Sequence, residues 1–153
     1  MIRGIIESYY DIQAMRIEVE NQLRSYGQGV SEQEESWTKL NVLNKLKEIE
    51  KSIYKHCKEF NEENDIYNAW LANVAGIGNV LAAGLISWIG NIERFETISK
   101  LWAYSGLHVD ENGKAVKRKL NQKSNWNARL KTHCWKIGES FVKQKAEKSG
   151  YRT

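Results

Sequence analysis

Apolar residues recur every three or four positions over long stretches of this chain, and it has no proline to interrupt them, so helix is the structure most of it must adopt. Ile5, Tyr9, Ile12, Met15, Val19, Leu23 and Tyr26 make one such stripe, which predicts a helix of about six turns. Gly27-Gln28-Gly29 is expected to stop it. Ser31 and Glu34 have the spacing of a capping box and open a second stripe of Trp37, Leu40, Leu43, Leu46, Ile49, Ile53, Cys57 and Phe60. Two long amphipathic helices joined by a short glycine turn are expected to pair as an antiparallel hairpin or to enter a coiled coil. The first stripe is a candidate surface for homo-oligomerisation; the plainer alternative is that both helices only cover their own chain's core.

Beyond the polar break Asn61–Asp65, a short helix with Ile66, Trp70 and Leu71 leads into the stretch Leu71–Gly90. There Ala75-Gly76-Ile77-Gly78 separates two apolar helical segments, the pattern of a helix-hairpin-helix. Without side chains at Gly76 and Gly78, the N–H groups that open the helix Asn79–Ile89 could reach phosphate oxygens, aided by the positive end of the helix dipole. A plain turn between two helices is the competing explanation. A further helix is expected at Thr97–Tyr104, closed by Gly106. Val109 to Val116, with Asn112-Gly113 at the tip, reads as a small β-hairpin whose second arm holds Lys114, Lys117, Arg118 and Lys119. The last helix is expected to begin near Ser124 or Asn125 and to bury Trp126, Leu130, Cys134, Ile137 and Phe141. Lys123, Arg129, Lys131 and Lys136 are expected mostly outside. The fold class is therefore mainly α, with residues 1–65 a helical hairpin or coiled-coil region and residues 66–153 a helix-hairpin-helix domain carrying a small basic β-hairpin.

Charge separates the two regions. Residues 1–70 hold nine Lys and Arg against thirteen Asp and Glu, a balance of −4, whereas residues 71–153 hold fourteen against six, a balance of +8. From Lys114 to Lys136 there are eight basic residues and no acidic one. An asymmetry of this size points to a polyanionic partner for the C-terminal half, most simply nucleic acid.

Other chemistries fare poorly. His56-Cys57 and His133-Cys134 suggest zinc, but neighbours on a helix point about 100° apart, and both cysteines fall on apolar stripes, so buried thiols are expected. His108 is expected at the surface. Gly76-x-Gly78 lacks the Gly-Lys-Ser/Thr of a nucleotide-binding loop. Glu34-Glu35, Glu62-Glu63 and Asp110-Glu111 read as solvated charge. Trp126 and Trp135 stand among basic residues and could stack on bases, although the helical spacing of Trp126 favours core. No run is long and apolar enough to span a membrane, and no signal pattern opens the chain, so an intracellular, cytoplasmic and nucleoid-associated protein is expected. No cofactor is expected.

Several of these pieces occur together in one known family. Gly76-Ile77-Gly78, Gly90-Asn91-Ile92 with Arg94-Phe95, Ala103-Tyr104-Ser105-Gly106-Leu107, and Lys123-Ser124-Asn125 with Arg129-Leu130 resemble the C-terminal transposase domain of the bridge-RNA-guided DEDD insertion-sequence transposases. The resemblance covers roughly residues 66–140, and residues 31–60 resemble the coiled-coil segment that precedes that domain. It implies a DNA-handling helix-hairpin-helix module. Family members also carry an upstream nuclease domain with four acidic residues, and a serine nucleophile in a Ser-Gly shortly after the Gly-Leu. Here that place is Asn112-Gly113, and asparagine cannot form the covalent phosphoester that serine forms. Ser105-Gly106 precedes Leu107 and leaves Ser105 as the fallback nucleophile. The resemblance thus implies a standalone relative that keeps the nucleic-acid-handling part and lacks the chemistry.

The expected function is non-specific binding of nucleic-acid backbone, most simply DNA with RNA left open. Gly76, Gly78 and Asn79 are the expected backbone contacts, and Lys114, Lys117, Arg118, Lys119, Lys123, Arg129 and Lys131 the neutralising charges. A recombination or transposition subunit using Ser105, and an assembly protein that self-associates through the N-terminal helices, are the two alternatives.

Overall fold

In a computed structural model, the structure describes residues 2–26 and 31–148 of the chain. The expected stop at Gly27-Gln28-Gly29 lies outside the described residues. The protein is mainly helical, and no strand forms among the described residues. It divides into two compact units, Met1–Asn64 and Asp65–Thr153.

The first unit contains α1 (Arg3–Ser25), α2 (Glu32–Thr38) and α3 (Asn44–Glu62). Ser31 begins α2 with a complete capping box: its hydroxyl accepts the Glu34 N–H, and the Glu34 carboxylate accepts the Ser31 N–H, both at 3.3 Å. A π-helical turn, Lys39–Leu43, carries α2 into α3 without a break. Along α1, Arg16 pairs with Glu50 of α3, and one turn later Glu20 reaches Lys47 at 3.1 Å. Moving forward on α1 therefore moves backward on α3, so the two helices run antiparallel. The expected stripes are only partly buried. Leu43 and Cys57 are covered, whereas Met15, Trp37, Leu40 and Ile49 are exposed, and at the start of α1 the buried residue is Ile6 rather than the expected Ile5. The π turn accounts for part of this, because its extra residue advances the following side chains by about 100°.

The second unit begins with α4 (Asp65–Ala69) and a 3₁₀ turn, Leu71–Asn73. Of the expected trio only Leu71 is buried; Ile66 and Trp70 are exposed. The chain then turns at Val74–Ile77, where the Ile77 N–H donates to the Val74 carbonyl at 3.0 Å and Gly76 takes φ +92°. A positive φ at the third residue of a turn is the reason for glycine there. Next comes α5 (Asn79–Ile89), which buries Val80, Ala82, Ala83, Gly84 and Trp88. It packs on α7 (Ala128–Lys148). The contact is close because Gly84 leaves a socket for the His133 ring: a Cβ at Gly84 would lie 2.1 Å from His133 Cε1. Between them, α6 (Ile98–Ser105) is capped by Thr97 and ended by Gly106 in the left-handed region.

Two expectations for this unit need correction. The small β-hairpin is reduced to one antiparallel bridge, Val109 to Ala115. Its turn is not a two-residue Asn-Gly: the Asp110 N–H donates to the Lys114 carbonyl at 2.8 Å, closing a three-residue loop with Gly113 at φ +71°. Asp110 Oδ1 accepts the Asn112 and Lys114 N–H groups, both at 2.9 Å, so local hydrogen bonds replace a longer ladder. The second correction concerns α7, which starts at Ala128 rather than at Ser124 or Asn125. Asn127 Oδ1 accepts the N–H groups of Arg129 and Leu130, each at 3.1 Å, and so fixes the start. Trp126 stands half-buried ahead of the helix, and Phe141 is exposed rather than core. Among the described residues no helix is long and apolar enough to cross a membrane.

Candidate nucleic-acid interface

Five of the seven basic residues expected to meet phosphate ride on the irregular segment 107–127, and Arg129 and Lys131 stand on α7. A turn at Lys119–Gln122, with Asn121 at φ +58°, folds this segment back on itself. Lys114, Lys117, Lys119 and Lys123 thereby come to line one groove of about 550 Å³, with Val116 and Trp126 in its wall. None of the four lysines is paired with a carboxylate among the described residues. Asp110 also lines the groove, but its Oδ1 is occupied by the two backbone N–H groups of its own loop. Arg118 faces a neighbouring depression that it shares with Lys119 and Lys123.

Lys131 was expected outside and has a more structural position. Its Nζ donates to the Val116 carbonyl at 2.7 Å and lies 5.0 Å from the centroid of the Trp126 ring. It ties the basic segment to α7 and adds its charge from beneath. Lys136 is also only half exposed. Arg129 is exposed, with its guanidinium 5.7 Å from the Trp88 ring.

The two glycines of the turn before α5 differ in their reasons. At Gly76 both backbone and packing require glycine: φ is +92°, and a Cβ would lie 2.9 Å from Phe141 Cδ1. Its carbonyl also accepts the Ser140 hydroxyl at 2.6 Å. At Gly78 neither does. Its φ of −82° suits any residue, a Cβ would meet nothing within 4 Å, and the residue is exposed. The N-cap of α5 is Gly78, which has no side chain to cap the first turn. Asn79 is held inward, its Oδ1 accepting the Tyr67 hydroxyl at 2.9 Å. The lysine groove meets α7 at Lys131, and the glycine turn meets it at Ser140 and Phe141. Nine residues of helix separate these points, roughly 14 Å along the axis. The expected site residues therefore form two places along α7 rather than one pocket.

Ser105 is 3% exposed, and its hydroxyl donates to the Trp102 carbonyl at 3.0 Å. Asn112 is exposed in the three-residue loop. His108, expected at the surface, is half-buried with its ring edge-on to Trp126 at 6.5 Å. His133 is buried, its Nε2 2.8 Å from the Leu81 carbonyl oxygen. Burial pushes the Cys57 thiol up to about 11 and raises that of Cys134, so both stay protonated near neutrality. No group of three or more metal-ligating side chains occurs among the described residues.

Arg94 was not among the expected site residues. Its guanidinium lies 4.5 Å from the Phe95 ring centroid and 4.4 Å from that of Tyr104. The sequence shows Arg-Phe as neighbours, but Tyr104 joins them only through the fold.

A family model described as the IS116/IS110/IS902 transposase family matches residues 68–151, more than half of the chain. No curated protein and no solved structure matches.

Proposed function

The chain belongs to the IS116/IS110/IS902 transposase family, and from that premise we propose that residues 66–153 form a DNA-binding module of helix-hairpin-helix type that serves transposition. The observation that carries this reading is the groove in which Lys114, Lys117, Lys119 and Lys123 gather without carboxylate partners among the described residues. Lysines so placed act as point charges on a phosphate backbone and release its condensed counterions. The start of α5 offers a second anchor, where the bare Cα of Gly78 lets a phosphate approach the backbone at the positive end of the helix. Contacts of both kinds position a nucleic acid without reading its bases, so the module has weak sequence preference.

The module holds DNA and does not itself cut it. Ser105 is buried with its hydroxyl engaged, and the Asn112 carboxamide cannot form a phosphoester intermediate. The test is a fluorescence-anisotropy titration of labelled duplex DNA over a series of salt concentrations, with single-stranded DNA and RNA alongside. With five phosphates neutralised, log affinity for the duplex falls against log salt with a slope of about −4 to −5. A flat dependence would overturn the reading, and preference for RNA would reassign the ligand.

A second reading is favoured by one observation in the first unit. Met15, Ile17, Trp37 and Leu40 are all exposed, an amount of uncovered apolar surface that suits self-association of the N-terminal helices. Sedimentation velocity should then show a mass that rises with concentration, and falls to the monomer in Ile17→Glu/Leu40→Glu. A strict monomer at every concentration is the contrary result.

A further inference from the structure

Near the lysine groove in the chain of contacts, though not in its lining, is an arginine held against two aromatic rings. The Arg94 guanidinium lies 4.5 Å from the Phe95 ring and 4.4 Å from the Tyr104 ring, and the residue is exposed. Among the described residues these two rings are its only partners: no carboxylate or carbonyl takes any of its N–H groups. A guanidinium held against aromatic rings keeps its donors free and fixed in orientation, in the fork that matches two phosphate oxygens. Holding it there in advance reduces the side-chain entropy lost on binding.

The rings themselves are anchored toward the groove. Phe95 and Tyr104 pack with centroids 5.3 Å apart. Tyr104 accepts twice from Asn127: its carbonyl takes the Asn127 N–H at 2.7 Å, and its hydroxyl takes the Asn127 side-chain amide at 2.9 Å. Asn127 in turn caps α7 and directly follows Asn125 and Trp126, which line the lysine groove. Arg94, Tyr104 and Asn127 thus form one short relay of contacts ending at the groove wall.

The geometry points to Arg94 as a further phosphate-binding residue of this interface, a bidentate fork that extends the track of the lysine groove along the same DNA backbone. This rests on the DNA-binding reading above. Tyr104 and Asn127 are positioning residues, since they hold the fork without touching the ligand.

The test compares Arg94→Gln, Arg94→Lys and Lys117→Gln with the natural protein by anisotropy, using a labelled 30-base-pair duplex across several salt concentrations. Arg94→Gln should weaken binding about tenfold, the loss of one charge-assisted contact, and make the salt slope shallower by about 1. Arg94→Lys keeps the charge but not the fork, so it should restore the slope and only part of the affinity. Circular dichroism checks each variant's fold. Should Arg94→Gln prove unfolded, Arg94→Lys decides alone: weakened binding at unchanged slope supports the fork, and natural affinity overturns it. If the natural protein shows no salt-sensitive affinity, the DNA-binding reading itself fails. If the natural protein binds and Lys117→Gln weakens it while Arg94→Gln does not, the groove stands and the assignment of Arg94 is wrong.

Discussion

Gly76 and Gly78 look alike in the sequence and part company in the structure. Gly76 is held at φ +92° with Phe141 where a Cβ would go, so Gly76→Ala should destabilise the second unit by about 1–2 kcal/mol from the backbone alone, with the Phe141 contact adding to it. Gly78 has ordinary dihedrals and open space. There Gly78→Ala should change stability by less than about 1 kcal/mol, because restriction of the unfolded chain is offset by alanine's poorer fit at the N-cap of α5. Urea unfolding followed by circular dichroism separates the two. A Gly78→Val variant that folds normally and loses affinity for DNA would locate a ligand contact at the turn, whereas a Gly76 variant would confound binding with folding. The pair was legible as a turn, and which glycine the turn needs was not, because the answer depends on Phe141 some sixty-five positions away.

At the scale of elements, most helices could be read from periodicity, because their apolar spacing and caps are local. The capping box at Ser31 and the left-handed Gly106 were both visible before folding. What apolar spacing missed was set by tertiary contact in one case and by local side-chain bonding in another. Trp126 continues the apolar spacing of α7, yet the two bonds between Asn127 and Tyr104 place the helix start after it. The β-hairpin failed because Asp110 satisfies the loop's N–H groups itself, and a lone two-stranded ribbon has little to hold it. The α5–α7 contact gives this scale its prediction. His133 fills the socket left by Gly84, and burial, reinforced by the Lys136 charge, lowers its pKa below 6.5 against the opposing effect of the Leu81 carbonyl. The unfolded chain therefore takes up the proton first as pH falls. Stability is full above about pH 6.5 and declines below it, down to the lowered folded value. Melting temperature should drop between pH 7.5 and 5.5 in the natural protein, and much less in His133→Gln. Glu20, whose carboxyl is held down chiefly by its bond to Lys47, acts only below its ordinary 4.5 and does not enter this window.

Over the whole molecule the sign of charge follows the division into units. Residues 1–64 carry nine basic against twelve acidic side chains, and residues 65–153 carry fourteen against seven. That imbalance was readable from composition, and it is what suggests a polyanionic partner. The spatial grouping of the lysines was not, since it depends on the reversal at Asn121, and Arg94 escaped notice because Tyr104 reaches it only in the fold. The distribution of tryptophan has a practical result. Trp37, Trp70, Trp102 and Trp135 are exposed, four of the six in the chain, while Trp88 is buried and Trp126 half-buried in the groove wall. Most of the native emission thus comes from indoles already in water, so fluorescence changes little on unfolding and reports folding poorly. The same spectrum is well suited to ligand detection, because Trp126 is the indole whose light a strand lying in the lysine groove would quench.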